Sequence, residues 1–238
     1  MKRLLSSCLL LLVLGACGAR EEGVRLHLQL ALRPALAASA EGPVRQFTTA
    51  QGEHITLRRA SLTLHSVEIF PCEPSAAWRW LRALSPIGTA HAHSEGSPRR
   101  LGTPHVSGLE RADGEPLVLG TLHPPPGRYC RARLVFAPAD ADAEGLATWS
   151  DMEGRTLVLE GEARSADGSR VRPFRLESRE LVNAEVGLEG LTLSEDALEA
   201  RRTIHLAYDR WLDGVDVTSA GAAEAVLRNL AHSATLPP

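Results

Sequence analysis

Apolar residues recur at every second position through much of this chain. Across 24–32, Val24, Leu26, Leu28, Leu30 and Leu32 fall on one side and Arg25, His27 and Gln29 on the other, the period-2 pattern of a half-buried strand. A second run, 55–70, alternates through Leu62 and Leu64, opposite Ser61, Thr63 and His65; it slips phase at Ser66 and resumes at Val67 and Ile69, which predicts a bulge or bend. Residues 116–122, the Pro124-Pro125-Pro126-Gly127 run and 129–137 read as strand, rigid turn, strand, with Cys130, Ala132, Leu134 and Phe136 on the inward face. The segments 155–163 and 171–177 flank Asp167-Gly168, a hairpin-turn signal, and 181–188 and 202–208 add two more strands.

Elsewhere the alternation gives way. Residues 33–53 hold alanines, prolines and a glycine and read as a loop with one short strand around Phe47. Residues 78–84 fit either a helical turn or a strand, and a polar stretch follows over 85–102. A stretch of that length without secondary structure is uncommon inside a compact domain, and is usually functional or disordered. Near the end, 219–231 carries alanines with Val226, Leu227 and Leu230 behind a serine, which predicts a short amphipathic helix. The pattern as a whole predicts a mostly β, antiparallel sandwich or barrel-like single domain with a short C-terminal helix, rather than any βαβ arrangement.

The first residues belong to a different kind of segment. Met1-Lys2-Arg3, a short apolar region over 4–13 and then Leu14-Gly15-Ala16-Cys17 have the layout of a secretory signal. The apolar region is shorter than the roughly 20 residues needed to span a bilayer. The Leu-Gly-Ala-Cys ending resembles the bacterial lipobox, which implies cleavage before Cys17 and lipidation of its sulfur. The chain then divides into a signal peptide over 1–16, a lipidated tether over 17–23 and one β-rich domain over 24–238. Gly18, in place of aspartate after the cysteine, points by the same analogy to the outer membrane, facing the periplasm.

Composition narrows the chemistry. Cleavage would leave 222 of the 238 residues and, by removing Lys2 and Arg3, take the formal charge from −3 to −5. A mildly acidic chain with no basic–aromatic interleaving is not a nucleic-acid binder. Lys2 is the only lysine, which excludes a Schiff base or a P-loop lysine from the mature protein, and Met152 is its only methionine. No Gly-x-Ser-x-Gly, His-Glu-x-x-His or Cys-x-x-Cys occurs. The reading is of a non-enzyme. Of four cysteines, Cys8 leaves with the signal and Cys17 is the anchor. Cys72 and Cys130 remain and predict one disulfide in an oxidising compartment, the alternative being a thiolate ligand or nucleophile.

Histidine is the suggestive residue type. His91, His93, His105 and His123 are four of nine, and all lie in or beside the long polar stretch. On an extended backbone His91 and His93 point to the same side and can reach one ion. Neutral imidazole suits copper, zinc and nickel, so His91 and His93, completed by His105 or His123, form a candidate metal site. A solvated loop without metal is the alternative.

Three segments carry a family likeness: the strand over 61–70 with Cys72 and Trp78-x-Trp80, the Pro125-Pro126-Gly127-x-Tyr129-Cys130 turn with its strand, and Trp211-Leu-Asp-Gly-Val-Asp216 before the terminal helix. With them the chain resembles the MbnP-like copper-binding proteins, the metallo-mystery pair family of exported bacterial proteins. That resemblance implies a β-sandwich-like fold binding a copper ion through histidine, here His91 and His93. It also implies an oxidised tryptophan made by a partner dihaem maturation enzyme, for which Trp78 and Trp80 are the candidates. The family is named for four cysteines, and only two remain here in the mature domain.

Overall fold

The structure is a computed structural model that describes residues 24–36, 38–72, 97–194 and 198–236. One strand organises it. β4 (His54–Pro71) runs for 18 residues, and its inward side chains are Ile55 and Leu57, then Ala60, Leu62 and Leu64, then Val67 and Ile69. Each change of phase is a bulge, one residue without a counterpart opposite. Arg58 is extra against β9 (Leu157–Arg164), and His65 is extra against β8 (Gly127–Phe136). The slip expected at Ser66 is therefore real. The one at Arg58 is invisible in sequence because two adjacent arginines hide it. Bulges bend and twist a long strand, and β4 serves two sets of neighbours. Along one edge lie β9 and then β8; along the other lie β3 (Val44–Thr48), β6 (His105–Gly108) and β5 (Arg100–Leu101).

The large sheet has nine strands, completed by β2 (Ser39–Glu41) beside β3, β10 (Val171–Ser178) beside β9 and β11 (Val182–Leu193) beside β8. A four-stranded sheet faces it, with β1 (Arg25–Arg33) and β12 (Glu199–Ala207) at its centre, β7 (Leu117–Leu122) on one edge and β13 (Ala234–Thr235) on the other. The mostly β fold is as the alternation predicts, with one parallel pairing within it. β12 lies parallel to β1, because the chain crosses the whole large sheet before its last long strand returns beside the first. Leu26, Leu28, Leu30 and Leu32 of β1 join Leu62, Leu64, Leu134 and Phe136 in one core between the sheets. Complete burial of such a side chain contributes roughly 2 kcal/mol.

The only α-helix among the described residues, α1 (Ala222–Ser233), buries Val226, Leu227 and Leu230. It starts later than the serine suggested. Gly221 is at the N-cap without a side-chain cap, and Ser219 sits in the preceding turn, where its carbonyl accepts Ala222 N–H at 3.2 Å. Among the described residues no helix is long and apolar enough to cross a membrane. The Asp167-Gly168 turn does join β9 to β10, with Gly168 at φ +74°.

The disulfide joins Cys72 to Cys130, with Cα atoms 4.7 Å apart. Cys130 is not on the inward face that simple alternation gives it. Tyr129 takes the buried position, and Cys130 is a half-buried extra residue between the pairs Pro71–Tyr129 and Phe70–Arg131. That third irregularity turns its sulfur toward Cys72, the residue that follows β4.

Candidate functional site

His105 opens β6 and is buried among its neighbours. Its Nδ1–H donates to the Thr103 carbonyl at 2.8 Å, which leaves Nε2 facing the Glu144 carboxylate at 3.1 Å. A carbonyl that fixes one ring nitrogen and so aims the other is the support a ligating histidine ordinarily has. Here, however, the aimed nitrogen already has a partner. The ion pair with Glu144 forms while the ring carries both protons.

Glu144 belongs to the 138–156 segment, which lies over the outer face of the large sheet on a small second core of Val106, Ala139, Ala143, Met152 and Val158. Gly145 turns there at φ +84°. The bulge in β4 sends His65 to the same segment, with its Nε2 3.6 Å from Asp140. At the far side Arg59, next to the other bulge, pairs with Asp151 at 2.5 Å and lies 5.2 Å from the centre of the Trp149 ring. Hydrogen bonding and charge from Arg59 hold the Asp151 carboxyl below the ordinary aspartate range. Three basic residues of β4 and β6 thus clasp one acidic segment. Nothing in the spacing of the acidic residues over 138–156 reveals that Asp140 and Glu144 meet histidines from two strands of the large sheet.

His123, the other described member of the candidate metal set, is exposed in the turn between β7 and β8. Tyr129 closes this turn by donating its hydroxyl to the Pro125 carbonyl at 2.8 Å. Among the described residues no three His, Cys, Asp or Glu side chains gather as a metal site. His105 with Glu144 offers two donors, which alone do not make a copper centre. His91, His93, Trp78, Trp80 and the anchor Cys17 lie outside the described residues. The remaining described histidines are dispersed. His27 Nδ1 meets Thr121 Oγ1 at 2.9 Å and His54 Nδ1 meets Thr48 Oγ1 at 3.1 Å.

Sequence reasoning missed the most deeply buried charged group among the described residues. Arg45 of β3 is fully enclosed and donates through Nε to Asp113 at 2.7 Å and through Nη2 to the Arg111 carbonyl at 2.7 Å. Asp113 also accepts the Tyr208 hydroxyl at 2.8 Å, and burial together with that carboxylate drives the phenol well above its usual range. The next residues extend the junction. Asp209 accepts the backbone N–H groups of Ala35 and Leu36, Trp211 Nε1–H donates to Ser233 Oγ, and Asp213 accepts Ala50 N–H. The Trp211–Asp216 stretch is therefore a structural junction in which Trp211 is fully buried.

Compared with known protein families, with curated proteins and with solved structures, the chain matches none.

Proposed function

We propose that this protein is an exported bacterial lipoprotein, anchored through Cys17 at the outer membrane facing the periplasm, that binds a copper ion as a carrier or sequestering protein and not as a catalyst. The reading is carried by the His91-Ala-His93 pair, which follows the disulfide-bonded Cys72 in the chain. Two further features support it. A disulfide between the two cysteines of the mature domain suits an oxidising compartment outside the cytosol. The mostly β fold is the one that the MbnP-like resemblance implies. On that resemblance Trp78 or Trp80 is the target of a dihaem maturation enzyme.

The test is native mass spectrometry and metal analysis of protein exported into a copper-supplemented periplasm. Retained copper that disappears in the His91→Ala/His93→Ala variant supports the assignment; equal copper in wild type and variant sinks it.

A second reading, a metal-free interaction or structural lipoprotein of the envelope, rests on a different observation. His105 Nδ1–H donates to a carbonyl while its Nε2 faces Glu144, and His123 lies in the turn between β7 and β8, so the described residues assemble no metal site. A bare polypeptide carrying only its disulfide in the same experiment favours this reading.

A further inference from the structure

We infer that the domain stands on the lipid surface by one end of its sandwich, the rim at which β1 begins, and presents the opposite end, with α1, to the periplasm. This rests on the lipid anchor at Cys17 proposed above.

The pairing registers collect several chain ends on that rim. Arg25 pairs with Glu199, and its backbone N–H donates to the Leu198 carbonyl at 2.7 Å, so β12 starts there. Leu26 pairs with Leu122, so β7 ends there and residues 123–126 lead to β8. Leu193 pairs with Gly127, which places the end of β11 alongside. Pro71 pairs with Tyr129 and Cys72 N–H donates to the Arg128 carbonyl at 2.9 Å, so β4 and the disulfide finish at the same rim.

The opposite end is equally well defined. Arg33 pairs with Ala207, Asp209 binds the backbone just beyond β1, and Asp213 binds the turn before β4. The Asp167 turn joins this end because Arg164 pairs with His54.

Length then decides the orientation. Seven residues carry the chain from Cys17 to Val24, and at roughly 3.6 Å each they span no more than about 25 Å. The rim is held within that reach of the acylated cysteine. The nine residues of β1 separate the two ends of the small sheet by about 30 Å at roughly 3.3 Å per residue. The anchored rim cannot retreat from the bilayer by the length of its own sandwich.

Surface chemistry points the same way. The rim exposes Leu198, Pro125 and Pro126, and Arg128 has no acidic partner among the described residues. An exposed leucine, two prolines and a cation collected on one rim suit an anionic lipid headgroup layer. The far end exposes the Asp167 carboxylate, held by the Ser165 and Ser169 hydroxyls, which the same layer repels.

The test uses the full acylated protein in vesicles of phosphatidylethanolamine and phosphatidylglycerol carrying a nitroxide-labelled lipid. Cys17 is acylated and Cys72 is bonded to Cys130, so one introduced thiol takes one fluorophore: Pro126→Cys at the rim or Ala166→Cys at the far turn. The rim label is expected to be quenched several-fold more strongly than the far one. Equal quenching, or stronger quenching at Ala166→Cys, overturns the orientation while leaving the anchor intact. An intact mass without acyl chains overturns the anchor and the orientation together.

Discussion

The guanidinium of Arg45 is fully buried and its Nε lies 2.7 Å from the carboxylate of Asp113, between the β3 hairpin and the segment that leads into β7. Asp113 is itself partly exposed, yet its second oxygen holds the Tyr208 hydroxyl. One carboxylate thus fixes two elements of the fold against each other. Removing one partner leaves an uncompensated buried charge, which typically costs about 3–5 kcal/mol, more than the pair itself contributes over an apolar replacement. Asp113→Ala is expected to lose stability in that range in urea unfolding. Arg45→Met/Asp113→Ala should recover much of the loss, and Tyr208→Phe should cost only about 1 kcal/mol. A double variant as unstable as the sum of the two single changes contradicts the pairing.

Cys72 and Cys130 close a loop across 58 residues. In the chain-entropy picture a loop of that size contributes about 4 kcal/mol by restricting the unfolded chain. Cys72→Ser/Cys130→Ser should therefore melt well below wild type, with wild type approaching it under reducing conditions. Identical melting with and without reductant is the result that contradicts this.

These two features differ in how far the sequence announces them. The disulfide was legible because only two of the four cysteines lie beyond residue 17, although the bulge that aims Cys130 was not: the alternation of Ala132, Leu134 and Phe136 extrapolates straight through it. The long strands were legible because Leu26, Leu28 and Leu30 face a core while Arg25, His27 and Gln29 turn away from it, and such a two-sided setting imposes its period on the residues. The parallel pairing of β1 with β12 was not, since alternation carries no information about strand direction. Arg45 looks in sequence like any surface arginine, and its burial depends on Asp113 and Tyr208, which are distant in the chain. The candidate site divides similarly. His105 stands out by residue type, while Glu144 facing it is one acid among 29 Asp and Glu residues.

His205 of β12 has a buried Nδ1 without a hydrogen-bond partner among the described residues. Burial, aided by the charge of Arg33, lowers its pKa below the ordinary histidine value. A group depressed in the folded state contributes stability above its unfolded pKa and loses it as pH falls through the folded value. The window therefore opens near pH 6.5 and extends downward. Within it the unfolded chain takes up a proton that the folded chain resists. Proton NMR should show His205 titrating at lower pH than an unperturbed histidine, and His205→Gln should flatten the fall in stability below that point. An unshifted midpoint counts against the buried, neutral ring.

Gly145 tests whether the acidic segment over the large sheet is held by its own backbone or only by the ion pairs around it. At φ +84° a Cβ is strained, and one built there would come within 2.6 Å of the Val106 carbonyl oxygen, a backbone atom of β6 that cannot swing aside. Two backbone bonds run beside this point: Val106 N–H donates to the Glu144 carbonyl at 2.8 Å and Glu144 N–H to the Pro104 carbonyl at 2.9 Å. Gly145→Ala must shift one or both, and with the left-handed conformation it should cost on the order of 1–3 kcal/mol. Because the second core beneath this segment is small, the damage should stay local. Limited proteolysis is expected to cut the variant within 138–156 much faster than wild type, while the main unfolding transition moves less than in Asp113→Ala. Replacing the two imidazoles alone, in His65→Gln/His105→Gln, should leave the segment more protected than Gly145→Ala does. If the histidine variant is cut as fast, the two imidazole–carboxylate contacts hold the segment and the backbone bonds do not.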